Sequence, residues 1–235
     1  MKVTYHKHLY QLSLMPNFFP VNCYFVEEEN SLTLIDTGLS FSLKGILKTA
    51  EKLRKPLTKI VITHAHSDHV GALDGLKKAL PSVEVYLPKR EMKIFQGDVT
   101  LEEGEGDQPI KGGVPKGITT VPDHLLVDGD RIGSLLAIDS PGHTPGMMSF
   151  LDPRTNSLIV GDAFQTRGGI AVAGDLRWSF PFPAMATWNK SVAVQAAERL
   201  LTYEPSLLAV GHGDWIIDPI EKMKTAIERA KRKER

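Results

Sequence analysis

The six residues His64-Ala65-His66-Ser67-Asp68-His69 constrain this chain more than any other stretch. They follow directly on KIVIT, where Ile60, Val61 and Ile62 are consecutive and β-branched, as in a short buried strand. Four side chains able to bind a metal thus fall at a strand end, within six residues. Imidazole suits zinc and similar borderline cations, and a carboxylate adds a hard oxygen. His64 and His66, two apart in an extended segment, point the same way. Asp68 and His69 lie where the chain turns into a helix and can face a neighbouring ion.

The second half of the chain repeats the theme. LLAIDSPGHTPG, SLIVGDAF and LLAVGHGD are apolar runs that each end at a Gly-flanked His or Asp, so three further strands deliver His143, Asp162 and His212 to a strand end. Seven candidate ligands are too many for one tetrahedral ion and the right number for two ions that share a carboxylate. Strands and helices alternate around them. VNCYFVEE and SLTLIDTG predict a hairpin, residues 41–54 a helix stopped before Pro56, residues 70–80 a second helix, and VEVYLP another strand. This is the α/β pattern, in which reactive groups collect at the carboxyl ends of strands.

Two regions break the pattern. Residues 97–123 are rich in Gly, Pro and acid, with Asp98, Glu102, Glu103, Glu105 and Asp107 unaccompanied by a base. Residues 165–186 are irregular and aromatic. Loops of this length in a compact domain act as functional lids or stay disordered. Trp178, Phe180, Phe182, Met185 and Trp188 offer the material of an apolar pocket. Residues 217–235 read as a helix ending in a basic run. His6 and His8 are expected on one face of a first strand and, with His124, as ordinary polar residues. Asp36, closing LTLIDTG, is expected to orient a ligand histidine or hold a turn, with Thr63 in a similar role. Asp68 is also placed to cap the helix that follows it.

Composition narrows the partners. Across 235 residues, 28 Lys and Arg balance 28 Asp and Glu, so there is no global charge reason to bind nucleic acid or an anionic membrane. The single cysteine, Cys23, cannot form an internal disulfide and reads as a small buried hydrophobe. No run approaches the roughly 20 apolar residues of a membrane span. Histidines and a lysine interrupt the first twenty residues where a signal peptide needs an unbroken apolar core. A single cytoplasmic domain over residues 1–235 is the expectation.

The T-H-A-H-S-D-H-V-G run, followed in order by SPGHTPG, VGDAF and VGHGD, resembles the metallo-β-lactamase-fold hydrolases, and the likeness runs from Asp36-Thr37-Gly38 to the last strand. The resemblance implies a four-layer αββα sandwich of two mixed sheets flanked by helices, with metals at one rim. It implies that His64, His66 and His143 bind one divalent cation, that Asp68, His69 and His212 bind a second, and that Asp162 bridges both together with a water or hydroxide. Zinc heads the choice of metal, with manganese, iron and cobalt also suited. Such a pair generates a nucleophile at neutral pH without any serine or cysteine, and Asp68 is the candidate catalytic proton carrier.

Within that family the chain looks nearest to lactonase-like and general hydrolase members. Asp162 is followed by Ala163, Phe164 and Gln165, so the tyrosine that homoserine-lactone hydrolases carry there is missing. The expected activity is hydrolysis of an ester, lactone or thioester in a small, partly apolar substrate. A mononuclear iron persulfide dioxygenase and a phosphodiesterase or nuclease of the same fold are the alternatives. Oligomeric state is left open, a homodimer being one option.

Overall fold

A computed structural model describes residues 1–233 of the protein. Contacts divide the chain into two compact units, residues 1–97 with 113–126, and residues 98–112 with 127–235.

The first unit is built on a seven-stranded sheet whose spatial order follows the chain: β1 (Lys2–His6), β2 (Leu9–Leu14), β3 (Val21–Glu27), β4 (Leu32–Ile35), β5 (Leu57–Val61), β6 (Glu84–Pro88) and β7 (His124–Leu126). The first four strands pair antiparallel, including the expected β3–β4 hairpin. The last three are added in parallel. Parallel neighbours require crossovers, here α1 (Leu43–Leu53), then α2 (Ser67–Val70) with α3 (Leu73–Ala79), then α4 (Glu91–Phe95) with the irregular stretch after it. β4 is buried at every residue, as befits a strand packed on both faces, whereas β1 at the edge leaves Val3 and Tyr5 exposed.

Two expectations need correction in this unit. His8 is not on the first strand, which ends at His6; it lies in the turn to β2, and its carbonyl accepts a hydrogen bond from Glu27 N. The helix over 70–80 is broken in two. The chain bends at Gly71-Ala72 because Val70 bridges to Gly38 and Gly71 N donates to Gly38 O, so docking onto the loop after β4 overrides the helical ladder.

In the second unit a six-stranded sheet runs in the order β15-β14-β11-β10-β9-β8, made of β8 (Arg131–Ile132), β9 (Leu135–Asp139), β10 (Met148–Asp152), β11 (Ser157–Ile159), β14 (Leu207–Ala209) and β15 (Ile216–Ile217). Its one parallel pair is β11 with β14. The stretch 165–186, expected to be irregular, contains part of a small ribbon, β12 (Phe164–Gln165) with β13 (Ala171–Val172), and one helical turn, α5 (Phe182–Met185). Strands of two residues are too short to display alternation. α6 (Lys190–Leu201) buries Ala193, Val194, Ala196, Ala197 and Leu200, and α7 (Ile220–Arg232) buries Met223, Ala226, Ile227 and Ala230. Both are one-sided apolar stripes at helical spacing, packed in a core with Ile138, Leu158, Val160 and Phe164. Each aliphatic side chain buried there contributes about 1.5–3 kcal/mol relative to exposure. The final basic run continues past α7, and its last two residues lie outside the described ones. No described helix is long and apolar enough to cross a membrane.

Candidate metal centre

In the first unit the parallel pairing of β4 and β5 matches Ile35 with Val61, which sets the two strand ends side by side. The chain continues from one end into Asp36 and from the other into Ile62, Thr63 and His64. Asp36 N donates to Val61 O (2.9 Å), and Thr63 N returns a hydrogen bond to Asp36 Oδ1 (2.8 Å). Asp36 adopts a left-handed backbone, φ 58°, which an aspartate tolerates better than most residues.

The other carboxylate oxygen of Asp36 organises two histidines. Oδ2 accepts from His69 Nδ1 (2.7 Å) and from Thr63 Oγ1 (2.8 Å). An ionised carboxylate only accepts, so both protons point at it. With its proton committed to Asp36, Thr63 Oγ1 receives the hydrogen bond from His64 Nδ1 (3.0 Å). Both imidazoles are thereby fixed with the proton on Nδ1 and the lone pair on Nε2. The two rings stand 4.0 Å apart between centroids. His66, in extended backbone at the N-cap of α2, places Nδ1 3.2 Å from His64 Nε2. His64, His66 and His69 are all buried, whereas the Asp68 side chain keeps 23% of its exposure, with Oδ2 3.9 Å from His69 Nε2. Asp68 does not cap a helix: it lies inside α2, and no side chain caps α2 or α3.

A group that gave no sequence signal completes this half. Glu91, wholly buried at the start of α4, accepts from Ala65 N at 2.7 Å and pins the extended backbone between His64 and His66. The contact joins residues 26 apart, and no spacing rule foretells it.

In the second unit the parallel register of β11 and β14, Ile159 with Ala209, carries on past both strands. Val160 N donates to Ala209 O and Gly211 N to Gly161 O, so Asp162 and His212 emerge side by side. His212 Nε2 lies 3.2 Å from Asp162 Oδ2. His143, in the loop after β9, brings Nε2 to 3.3 Å from the same oxygen. Its Nδ1 meets Thr187 Oγ1 at 3.2 Å, and that hydroxyl donates to Pro183 O (2.8 Å). The hydroxyl therefore accepts from His143, and the lone pair again falls on Nε2. Gly142 is required next to it. Its φ is 136°, and a Cβ there would lie 2.3 Å from Ala193 Cα in α6.

These spacings bear on whether the residues fit a metal. Two ligand atoms held about 2.0–2.1 Å from a tetrahedral zinc stand about 3.3 Å apart. His64 with His66, His143 with Asp162, and His212 with Asp162 are separated by 3.2, 3.3 and 3.2 Å. Each pair can therefore serve one cation without rearrangement, and Asp162 Oδ2 lies within reach of both His143 Nε2 and His212 Nε2.

A family model described as the metallo-beta-lactamase superfamily matches residues 16–212, a span holding all seven of these residues. The chain belongs to the metallo-beta-lactamase superfamily. It is 53% identical over 232 residues to the uncharacterized protein YobT of Bacillus subtilis strain 168, covering 99% of this chain and 100% of that one. It is 27% identical over 207 residues to the hydroxyacylglutathione hydrolase GloC of Haemophilus influenzae, covering 84% and 87%. A solved structure of TTHA1623 in a di-iron-bound form aligns with a TM-score of 0.66 and 27% identity over 90% of this chain and 96% of that one. The mixed α/β fold with two large mixed sheets is the one the sequence motifs imply, and the superfamily membership places the chain among metallo-hydrolases.

The aromatic residues of the 165–188 region part company. Phe180 and Trp188 are buried, and the Phe180 ring packs 5.6 Å from that of His212. Trp178, Phe182 and Met185 are exposed, so the five do not close into one apolar pocket. Cys23 is buried as expected, and burial, with Asp36 nearby, pushes its thiol well above the usual range. His124 lies on β7, stacked on Tyr86, in keeping with an ordinary polar role.

Proposed function

We propose that this protein is a cytoplasmic dinuclear metal-dependent hydrolase that cleaves an ester, lactone or thioester bond in a small, partly apolar substrate. In this reading the two units act as one catalytic domain. His64, His66 and His143 hold one cation, Asp68, His69 and His212 hold the other, and Asp162 bridges them. The observation that carries the reading is the single oxygen of Asp162 poised 3.3 and 3.2 Å from two imidazole nitrogens. Zinc is the assigned metal on the donor set; iron is the rival, supported by the di-iron form of TTHA1623.

When bound, two such cations supply a water acidified to near neutrality and an electrophile for the carbonyl oxygen. The chain's residues do the rest. Asp36, Thr63 and Thr187 hold three imidazoles in the ligating tautomer. Asp68, whose carboxylate is partly exposed, would carry a proton to the leaving group. Phe180 against His212 keeps water from that flank, and exposed Trp178, Phe182 and Met185 give an acyl group an apolar surface. The activity named for GloC supports a thioester within this class.

The test is a panel of lactones, thioesters, aryl esters, phosphodiesters and β-lactams, run on metal-quantified protein. Two cations per chain with turnover of an ester-type bond, both reduced in His66→Ala, is the expected result. Equal turnover by His66→Ala, or one iron per chain with oxygen consumption, overturns the reading.

A further inference from the structure

Gln165 closes β12, three residues past Asp162, and is almost wholly buried. Its side-chain nitrogen Nε2 lies 3.0 Å from Arg167 O and 3.1 Å from Phe180 O. Carbonyl oxygens only accept, so the NH2 end must face them and both of its protons are committed. Donors buried this deeply are costly to leave unpaired, so the amide ties Arg167 firmly to Phe180.

Both tied points hold His212, one by its backbone and one by its ring. Thr166 N and Arg167 N donate to His212 O at 3.0 and 3.2 Å. That approach needs Gly213, whose φ is 115° and where a Cβ would lie 2.1 Å from Thr166 Oγ1. Thr166 Oγ1 fastens the same turn by donating to Asp214 O at 2.7 Å. The buried Phe180 ring packs 5.6 Å from the imidazole between centroids, inclined by 50°. Phe180 N bonds within its own turn, to Arg177 O, whereas its carbonyl is the point that Gln165 ties to β12. Asp36, Thr63 and Thr187 act on imidazole nitrogens, but here the hold on the imidazole is packing, set by an amide one step further back.

We infer that Gln165 is a positioning residue for His212: through Phe180 it fixes the direction in which that imidazole presents its nitrogen to a cation. Its own hydrogen bonds go to neither a proposed ligand nor a reacting group. The inference rests on the assignment of His212 to a cation in the reading above, and adds to that reading a residue on which one of the two cations depends and the other does not.

Two measurements test it on Gln165→Met, which keeps the length of the side chain and removes both donors. The first needs no metal. The Cε1–H resonances of His212 and His143 are followed in metal-free protein, assigned by His212→Gln and His143→Gln. The ring current of Phe180 displaces the His212 signal, so Phe180→Leu is expected to move it. Gln165→Met is expected to move it in the same direction, with the His143 signal in place. The second is zinc competition with a chromophoric chelator. Gln165→Met is expected to weaken one of two bound zinc ions roughly tenfold and to leave the other unchanged. Phe180→Leu should do the same, and the double variant should fall no further than the worse single one, since both act through one contact. A His212 signal unmoved by Gln165→Met, equal movement at His143, or zinc affinities that stay unchanged or fall equally at both sites overturns the role. Should Gln165→Met fail to fold, Gln165→Ala, which leaves room for water at the two carbonyls, takes its place in both measurements. Protein that binds zinc and hydrolyses no ester ends the hydrolase reading alone. In protein that binds no zinc, the metal-free resonances still decide whether Gln165 places His212.

Discussion

A single carboxylate oxygen, Asp36 Oδ2, reaches two histidines, one directly and one through Thr63. Asp36→Asn separates that chemistry from the backbone, since asparagine also tolerates the left-handed conformation at φ 58°. The amide has a single acceptor oxygen: at the Oδ2 position it keeps the two hydrogen bonds that orient the histidines but turns its NH2 on Thr63 N, and at the Oδ1 position it loses both. Zinc affinity is expected to fall about 10–100-fold, read by competition with a chromophoric chelator, while the far-ultraviolet circular dichroism stays unchanged. Thr187→Val removes the acceptor for His143 Nδ1 and is expected to weaken binding roughly tenfold, with Thr187→Ser restoring it. At this scale the sequence was most legible where a side chain bears chemistry by itself. The seven His and Asp candidates stood out because four lie in one motif after KIVIT and the other three each lie just past an apolar run. Asp36 and Thr63 were partly readable for the same reason. Glu91 and Thr187 were silent, because each acts on a residue brought near only by folding, 26 and 44 positions away.

The elements deliver those side chains through two parallel strand pairs, β4 with β5 and β11 with β14, each pair setting two loaded loops abreast. What the periodicity could not reveal is where a loop docks, and so the helix over 70–80 breaks at Gly71 and the 165–186 stretch hides a two-residue ribbon. Gly142→Ala tests one such docking point. With φ 136° and a methyl 2.3 Å from Ala193 Cα, α6 must shift, and a loss of about 3 kcal/mol or more is expected in denaturant melts. A milder effect belongs to Asp74, which ties α3 to the irregular stretch by accepting from the backbone and hydroxyls of Thr119 and Thr120. Burial alone would raise its pKa, but the hydrogen bonds from Thr120 and Thr119 outweigh that and hold it below the ordinary carboxylate range. A carboxylate depressed in the folded state stabilises fully above its unfolded pKa of about 3.9, and that contribution is lost as pH falls through the folded value. Thermal melts taken from about pH 5 down to pH 2 should therefore fall less steeply in Asp74→Ala, which starts about 1–2 kcal/mol less stable at neutral pH.

For the molecule as a whole, the proposed ligand set has a thermodynamic consequence independent of any substrate. Four of its members come from the first unit and three from the second. Cations that bind the folded chain and not the unfolded one stabilise by mass action, about 2.7 kcal/mol when free metal stands at 100 times Kd. For a chain of 235 residues that corresponds to roughly 5–11 °C in Tm. A strong chelator is expected to lower the melting temperature of the purified protein by about that amount, and zinc or manganese to restore it. The same additions should leave His66→Ala/Asp162→Ala/His212→Ala where it was, because that variant lacks a ligand of each proposed cation and the shared one, and a melt that still responds reports metal bound elsewhere. Ligation by neutral imidazole also fixes the pH sense of the effect: protons compete for the histidines, so the chelator-sensitive part of the stability should shrink as pH falls through the histidine range near 6.5. A native melt indifferent to chelator and metal at neutral pH would leave the proposed ligand set with no cation to hold, and would overturn the hydrolase reading.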